Sequence, residues 1–383
     1  MATHLLRPGF PVNGYDVYQP SIDRLARDGA RSANTIREAV KDADFLICMV
    51  ANSIQATQLL FDPKTGAIAA MSENATILMC STVAPAFIDE IRRRLVENAR
   101  PDIRLIDSPV SGGAGRAANG TLSIFSSGDD VHLAHVQPIL ECLSAKLYKI
   151  PGGLGGGSKA KLIHQILAGV NIAVASEAMG LAAKAGLNTK EAFEELRNGE
   201  GSSWMFENRV PHMLDPNLPP YSAITIIAKD VGIITSTSRA FKFPLPMLST
   251  SEQLYSTAIA SGLGKEDDCV LVRLYLPGQP DLVAQQTKAE NGAKPSMISV
   301  NDIMSMMTAV LLAAMVEAMC FCERLGIDTV LMYDIVANAA GASAIFVKVF
   351  NHMQKGKWSL KAVLGIEKIR DCLVGTALFS DVP

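Results

Sequence analysis

Short apolar strands alternate with helices over the first 150 residues, and this alternation leaves few fold classes open. Apolar runs predict strands at 44–50, 75–82 and 103–110, and amphipathic runs predict helices at 21–30 and 85–99. Strands without polar alternation are typical of parallel sheets that are covered by helices on both faces. We therefore predict an α/β Rossmann-like domain over 1–150, with its ligand at the carboxyl ends of the strands.

Long apolar helices replace this alternation after residue 150. We predict an all-α domain over 151–275, followed by a linker over 276–297 that is rich in Pro, Gly and polar residues. The sequence from 298 to 383 is again helical in pattern. The predicted fold is thus an α/β domain followed by all-α structure.

Residues 298–383 repeat part of the first helical domain. A shift of 140 residues matches Gly201 with Gly341 and many packing positions around them. Self-similarity at one fixed shift indicates an internal duplication, so we predict a second, partial copy of the all-α domain. Lys161 becomes Asn301 in that copy, which is therefore expected to lack the chemistry of the first and to serve as scaffold.

The composition narrows the partners and the compartment. The net charge is −3, and the Lys and Arg residues are scattered. This pattern argues against nucleic acid or an anionic membrane as a partner. Seven cysteines without a framework spacing indicate reduced thiols and a cytoplasmic protein. The apolar run 303–322 approaches the length of a membrane span, but we predict a buried helix there.

A serine and two glycines follow the third of these apolar strands. Ser111, Gly112 and Gly113 lie in the segment 107–122, DSPVSGGAGRAANGTL, where a hydroxyl and backbone N–H groups come together. Such a turn suits a carboxylate, although a plain glycine turn would have the same sequence. Thr82 ends the preceding strand and is expected at the same edge of the sheet.

One face of the first long helix offers a proton carrier and two hydrogen-bonding groups. Lys161, His164 and Gln165 are spaced i, i+3 and i+4 and therefore share that face. Partial burial disfavours the charged form of a lysine and suits it to proton transfer, whereas a lysine that reaches solvent is the alternative. A hydroxyl, N–H groups and a lysine in one cleft suit the oxidation of a small hydroxy acid. The pair Lys229-Asp230 either returns a second lysine to this cleft or is a local ion pair.

Asp16 ends a strand that the sequence predicts at 11–17 (PVNGYDV), where an acidic side chain can bind the ribose of NAD and repel the 2′-phosphate of NADP. An ordinary turn aspartate is the alternative. The glycine turn that normally lies about twenty residues upstream does not occur before Asp16, so the first strand and the glycine loop are expected to be missing. A second glycine-rich stretch, 152–159 (GGLGGGSK), lacks the acidic residue that should follow it, and we predict a flexible joint there.

These segments together resemble the β-hydroxyacid dehydrogenase family, which includes 3-hydroxyisobutyrate, tartronate semialdehyde and L-threonate dehydrogenases and, more distantly, 6-phosphogluconate dehydrogenase. DSPVSGGAGRAANGTL is similar to the family's substrate motif, and GGLGGGSKAKLIHQ is similar to the lead into its catalytic lysine. IIAKDVG and GLGKEDD resemble later signatures. The resemblance covers residues 1 to about 270 and, through the duplication, 298–383.

The resemblance implies a role for each candidate residue. Lys161 would take the hydroxyl proton while hydride passes to nicotinamide. The residues implied to bind the substrate are Ser111, Gly112, Gly113, His164 and Gln165. Those implied to bind the cofactor, NAD rather than NADP, are Asp16, Ala51, Asn52, Thr82 and Lys229. No metal site is predicted.

The His164-Gln165 pair is similar to the threonate-type enzymes and favours a four-carbon sugar acid as substrate. No cluster of Lys and Arg indicates a phosphorylated substrate. A homodimer through the helical domains is expected from the family. The absent glycine loop suggests a piece of a larger fused polypeptide, and it leaves a non-catalytic binding or assembly module as the alternative function.

Overall fold

The computed structural model describes residues 1–289 and 298–353, and the chain divides into two compact units. The first unit is Met1–Lys161, and the second begins at Leu162. Parts of the predicted linker (290–297) and of the predicted second helical copy (354–383) lie outside the described residues. The boundary falls inside the long helix that the sequence predicts, and the domain limits 150, 275 and 297 stay predictions.

The first unit interleaves strands and helices. Its strands are β1 (Asn13–Gly14), β2 (Arg31–Ser32), β3 (Phe45–Cys48), β4 (Thr76–Met79), β5 (Arg104–Asp107), β6 (Val110–Ser111), β7 (Leu122–Ser126) and β8 (Ser144–Lys149). Its helices are α1 (Thr3–Leu6), α2 (Gln19–Arg27), α3 (Ile36–Val40), α4 (Ser53–Phe61), α5 (Pro85–Glu97), α6 (Gly113–Asn119) and α7 (Asp130–Leu143). Helix α8 (Gly156–Lys184) begins in this unit and continues into the second.

Strands β3, β4 and β5 form a parallel sheet, which confirms the prediction from their apolar sequences. Phe45 of β3 pairs with Thr76 of β4. Because alternate residues of a strand point to opposite faces, Ile77 and Met79 enter one hydrophobic cluster and Leu78 enters the other. The sheet has a core on each face, which explains why its strands carry no polar alternation.

The remaining strands depart from an all-parallel sheet. The apolar run 103–110 is split at Pro109 into β5 and β6, and β6 pairs antiparallel with β7, which pairs parallel with β8. Proline has no backbone N–H to continue a ladder, and the carbonyl of Pro109 instead accepts the N–H of Phe125. Strands β1 and β2 form a separate two-stranded sheet. The sequence predicts that the first strand and its glycine loop are missing. Within residues 1–12 the structure has one element, the helix α1.

The second unit is helical in its described part, so an α/β Rossmann-like domain is followed by a helical domain. After α8, its helices are α9 (Thr189–Arg197), α10 (Trp204–Leu214), α11 (Ile224–Ala240), α12 (Pro246–Ala260), α13 (Leu282–Gln285), α14 (Val300–Arg324), α15 (Thr329–Ala337) and α16 (Ala344–Met353). A 3-10 helix, Asp268–Tyr275, lies before α13.

Helices α8 and α14 are long and apolar enough, by length and composition only, to cross a membrane. Within their most apolar windows, 89% of α8 and 56% of α14 are buried inside the protein. The core helix of a globular domain passes the same test. The second of these helices contains the run 303–322, for which the sequence predicts a buried helix.

The predicted linker begins as folded structure rather than as a free connection. Val283 of α13 is buried, and its carbonyl accepts a hydrogen bond from Thr189 Oγ1 at 2.7 Å. Asn188 Nδ2 donates to the carbonyl of Ala289 at 3.0 Å. These bonds fasten this segment to the start of α9. A short apolar pair, Leu282-Val283, inside a polar stretch was too weak a signal to predict it.

The second half of the glycine-rich stretch 152–159 is part of a helix, so the prediction of a flexible joint is wrong for 156–158. Gly156, Gly157 and Ser158 already belong to α8 and are buried. A Cβ atom on Gly157 would lie 2.2 Å from the carbonyl oxygen of Phe125, whereas a Cβ atom on Gly152 or Gly153 would meet nothing within 4 Å. Gly157 therefore lets the start of α8 pack directly against the backbone of β7.

Replacing Gly157 by alanine is expected to lower the free energy of unfolding by about 1–3 kcal/mol, because the new methyl group collides with fixed backbone. Gly115→Ala is the matched control, since a Cβ there meets nothing within 4 Å. The control should be neutral or slightly stabilising, because alanine has the higher helix propensity. Urea unfolding of both variants measures the difference, and equal effects at the two positions would contradict the close approach.

Candidate active site

Asp107, at the end of β5, holds the first turn of α8. Its carboxylate accepts hydrogen bonds from Ser158 N–H and from Ser158 Oγ, both at 2.7 Å. Ser127 Oγ donates to the same carboxylate at 3.4 Å and accepts the N–H of Gly157 at 2.8 Å. A carboxylate at a helix N-terminus satisfies N–H groups that lack a partner inside the helix and interacts favourably with its dipole. Asp107 therefore fixes where α8 begins.

Asp107 is fully buried, and burial raises the pKa of its carboxyl to about 6. The hydrogen bonds from Ser158 and Ser127 act in the opposite direction, because they favour the ionised form. The folded protein therefore binds a proton at Asp107 more readily than the unfolded chain does.

The strand turn after Asp107 carries Ser111, and the helix that Asp107 holds carries Lys161 about one turn further on. Both side chains are buried, with 4% of Ser111 and 5% of Lys161 exposed. Gly112 and Gly113 have φ angles of 135° and 65°, a region in which glycine is the unstrained residue. The space beside the Cα of Gly113 is open. In the first unit, the predicted serine and glycines thus follow the strand that ends in Asp107, and the predicted lysine lies on α8. The Asp107 carboxylate connects that strand to α8 by hydrogen bonds.

Ser81 joins the ends of β3 and β4 at the carboxyl edge of the parallel sheet. Its Oγ accepts the N–H of Val50 at 2.8 Å and lies 3.4 Å from the carbonyl oxygen of Cys48. Ser81 is buried, whereas the next residue, Thr82, is partly exposed. Of the two residues, the predicted cofactor residue Thr82 is therefore the more accessible.

Ala51 and Asn52 lie in the turn between β3 and α4. The side chain of Asn52 caps α4 by accepting the N–H of Gln55 at 2.9 Å. Ala51 N–H donates to Gln55 Oε1 at 2.9 Å. This turn follows the carboxyl end of β3, where an open α/β sheet offers its ligand site.

Asp16 lies just beyond β1, beside a cavity of about 360 Å³ that is also lined by Ser32 and Asn34. One carboxylate oxygen of Asp16 accepts the N–H of Tyr18 at 2.9 Å. Asp16 and Asn34 are exposed. A carboxylate, a hydroxyl and an amide around one cavity suit the hydroxyl groups of a ribose.

In the second unit, His164 and Gln165 form a buried hydrogen-bonded chain with Asp230. His164 Nδ1 lies 3.0 Å from Gln165 Oε1, and Gln165 Nε2 donates to Asp230 Oδ2 at 2.5 Å. Lys229 Nζ lies 2.8 Å from Asp230 Oδ1, which makes an ion pair but not an aligned hydrogen bond. The local pair Lys229-Asp230, one of the two predicted alternatives, is present, and it is connected to Gln165.

The second ring nitrogen of His164 is also engaged. Gly341 N–H donates to His164 Nε2 at 3.0 Å. Because Nε2 accepts, the proton of the neutral ring is on Nδ1, from which it is donated to Gln165 Oε1. His164 has none of its surface exposed. Its contacts are therefore those of a residue that orients Gln165.

Another cluster in the second unit contains His212, Asp267 and Cys269, whose donor atoms all lie within 4.8 Å of one another. It borders a cavity of about 270 Å³. Asp267 accepts the N–H of Cys269 at 2.9 Å and the N–H of Tyr221. Burial lowers the pKa of His212, which favours the neutral ring. Backbone hydrogen bonds account for the position of the carboxylate.

Sequence patterns did not single out Asp107, Ser158 or Gly341 as residues of the site. A signal exists for the first two, because each is a polar residue that interrupts an apolar strand or opens an apolar helix, and buried polar groups need partners. Gly341 carries no such signal, since only its backbone is used.

Comparisons with known proteins cover most of both units. A family model for the NAD-binding domain of 6-phosphogluconate dehydrogenase matches residues 1–152. A second, described as NAD-binding of NADP-dependent 3-hydroxyisobutyrate dehydrogenase, matches residues 155–275. Both matches end before α13, so helices α14 to α16 lie outside them.

Individual relatives agree with these matches. The chain is 38% identical to an L-threonate dehydrogenase of Escherichia coli K12 over 285 residues, which is 72% of this chain and 92% of that protein. It is 32% identical to an NAD-dependent L-serine dehydrogenase of Pseudomonas aeruginosa, covering 73% of this chain and 94% of that protein. The crystal structure of a 3-hydroxyisobutyrate dehydrogenase from Salmonella typhimurium superposes with a TM-score of 0.66 at 36% identity, covering 71% of this chain and 94% of that chain.

Replacing Asp107 by asparagine is expected to remove a pH dependence of stability between about pH 4 and pH 6. The folded pKa of about 6 lies above the ordinary aspartate value of 3.8, so the folded state binds more protons in this window. The free energy of unfolding contributed by Asp107 therefore falls as the pH rises through it, by roughly 3 kcal/mol in total. Urea unfolding of wild type and variant from pH 4 to pH 7 measures the difference.

The control for this experiment is Asp42→Asn, because Asp42 is exposed and has a φ of 59°, a conformation that asparagine tolerates. It shows what the loss of a surface aspartate charge does over the same pH range. A pH-independent difference between Asp107→Asn and wild type would contradict the raised pKa of Asp107.

Proposed function

Since the chain belongs to the β-hydroxyacid dehydrogenase family, we propose that it oxidises a small β-hydroxy acid, a four-carbon sugar acid such as threonate, with NAD. It is a hydroxyacid dehydrogenase, and so an oxidoreductase. The observation that carries the proposal is a buried lysine, Lys161, on a helix whose start is held by Asp107, four residues before Ser111. We assign the enzyme to the cytoplasm.

Lys161 is the general acid and base of this proposal. NAD, when bound, supplies the acceptor for the hydride that leaves the hydroxyl-bearing carbon. In the proposed reaction the amine of Lys161, which is buried, takes the hydroxyl proton as the carbonyl forms. The Ser111 hydroxyl and the N–H groups of Gly112 and Gly113 bind the substrate carboxylate, which sets the orientation of the carbon that reacts.

The cofactor residues in this proposal are Asp16, Ala51, Asn52, Thr82 and Lys229. The cavity beside Asp16 fits the adenosine ribose, because a carboxylate can accept both ribose hydroxyls. The same charge repels a 2′-phosphate and favours NAD over NADP.

The choice of a four-carbon sugar acid rests on His164 and Gln165. These residues form one hydrogen-bonded pair, linked through Asp230 to Lys229. An amide held in one orientation discriminates between substrate hydroxyl groups, because a misplaced hydroxyl leaves a buried polar group without a partner. Two of the similar proteins are named L-threonate dehydrogenase and NAD-dependent L-serine dehydrogenase. Threonate and serine are both small acids that carry a hydroxyl group.

A non-catalytic binding or assembly module is the alternative. Membership of the β-hydroxyacid dehydrogenase family does not favour it.

Lys161→Ala is expected to lower kcat on L-threonate by about 100- to 10,000-fold, because the proton acceptor is lost. Lys161→Arg should be similarly inactive, since a guanidinium keeps the charge but does not release its proton. Steady-state NADH formation measures kcat, and Lys159→Ala on the same helix is the control that should stay close to wild type. Full activity of Lys161→Ala would exclude this residue as the base.

Asp16→Ala is expected to weaken NADH binding by roughly 10- to 100-fold, because charge-assisted hydrogen bonds to the ribose are lost. NADPH binding should weaken less, because the repulsion of the 2′-phosphate is lost at the same time. Fluorescence titration of both nucleotides measures the two affinities. Asp23→Ala removes an equal charge from exposed helix α2 and should change neither affinity. Unchanged NADH affinity in Asp16→Ala would remove Asp16 from the cofactor site.

A further inference from the structure

Two short segments of the second unit pair with each other as if related by a two-fold axis. Ser203 and Ser343 form an antiparallel bridge. The N–H of Trp204 donates to the carbonyl of Ala342, and the N–H of Ala344 donates to the carbonyl of Ser202, both at 2.9 Å. Each partner lies 140 residues from its equivalent, the shift of the internal repeat.

The two glycines that precede these segments repeat the same symmetry. Gly201 N–H donates to Met304 Sδ at 3.2 Å, and Gly341 N–H donates to His164 Nε2 at 3.0 Å. Met304 and His164 again differ by the repeat shift of 140. A Cβ atom on Gly201 would lie 2.7 Å from the Cβ of Met307. The contact of Gly201 with Met304 thus has a counterpart in the contact of Gly341 with His164.

The helices that start at this pairing are also equivalent. Ser203 caps α10 by accepting the N–H of Phe206 at 3.1 Å, and Ser343 accepts the N–H of Phe346 at 3.3 Å. Both phenylalanines are fully buried. A set of reciprocal contacts, i with j and j with i, is the property of an isologous interface between identical subunits.

We infer that the second helical repeat takes the place of a second subunit against the first repeat and, through the Gly341 N–H, holds the His164 ring. The chain therefore makes within itself the interface that two identical chains would make between them. Its self-association through this face is blocked, because the second repeat already covers it.

The two halves of the interface differ in the side chain that accepts the glycine N–H. Met304 accepts the N–H of Gly201 with a thioether sulfur, a weak acceptor that has no N–H to donate in turn. His164 accepts from Gly341 with Nε2 and donates a hydrogen bond from Nδ1–H to Gln165 Oε1. The second repeat is thus a positioning element for the His164-Gln165 pair. The consequence for catalysis rests on the proposed function, whereas the pairing of the repeats does not.

The test is a disulfide between the symmetric serines in the full chain. Directly opposed residues of an antiparallel pair that do not bond to each other have Cα atoms about 4.5 Å apart, a distance that a disulfide spans. The double variant Ser203→Cys with Ser343→Cys should oxidise to a cross-link within one chain, seen as faster migration on a non-reducing gel. Each single variant and the wild type, oxidised alike, should not show that band.

Two outcomes of this experiment overturn the inference. A cross-link that joins two chains would mean that the repeats pair between molecules. A folded double variant, with the circular dichroism of the wild type, that forms no cross-link would mean that the repeats do not meet in this way. Neither outcome depends on cofactor binding or activity, so a failed proposed function is told apart from a failed pairing.

A second measurement covers the case in which the double variant does not fold. In the unmodified chain, the imidazole ¹⁵N shifts of His164 should correspond to the neutral ring with its proton on Nδ1, and the Gly341 amide should be protected from hydrogen exchange. His164→Met, which copies Met304 of the second repeat, assigns the ring signals and should keep the Gly341 amide protected. A ring protonated on Nε2, or a Gly341 amide that exchanges at the rate of an open loop, would overturn the inference.

Discussion

The hydrogen bonds between Asp107 and Ser158 are the interaction on which the arrangement of the first unit depends. They join the end of a core strand to the first turn of α8, and both residues are buried. A buried carboxylate is unfavourable unless its oxygens have donors, so Asp107 constrains α8 strongly. Lys161 lies about one turn after Ser158 on α8, so its position is constrained as well. The segment that begins with Asp107 also ends in Ser111, so one motif sets both the proton carrier and the carboxylate-binding turn.

Close backbone packing is the second constraint, and glycine makes it possible in both units. Gly157 lets α8 approach the carbonyl oxygen of Phe125, where a Cβ has no room. In the helical unit, Gly201 and Gly341 bring their N–H groups to side chains of the opposite repeat. Direct contact of backbone with a side chain or with another backbone leaves little freedom to shift. At these sites, the relative position of two elements that are far apart in the sequence is therefore fixed.

The prediction from the sequence succeeded where a pattern was local and continuous. Apolar runs predicted β3, β4 and β5, because a strand with a core on each face must be apolar throughout. The spacing of Lys161 and His164 predicted a shared helix face. It failed where single residues decided the outcome. Pro109 turned one apolar run into two strands, and Gly156 and Gly157 were taken for part of a joint although they pack closely. The role of Gly341 could not be predicted, because its backbone N–H leaves no trace in residue type.

The sequence by itself determined the α/β and helical parts, the family, and the identity of the candidate residues, since all of these follow from periodicity and from contiguous motifs. The sequence also predicted the repeat, because a shift of 140 residues aligns identical side chains. Only the tertiary structure decided that Asp107 holds α8 and that the second repeat meets the first through reciprocal contacts. The physical reason is that both depend on hydrogen bonds between residues distant in the chain. Such bonds depend on where the folded chain places the two residues. Asp, Ser and Gly occur at many other positions of the sequence, so residue type alone does not reveal which of them form these bonds.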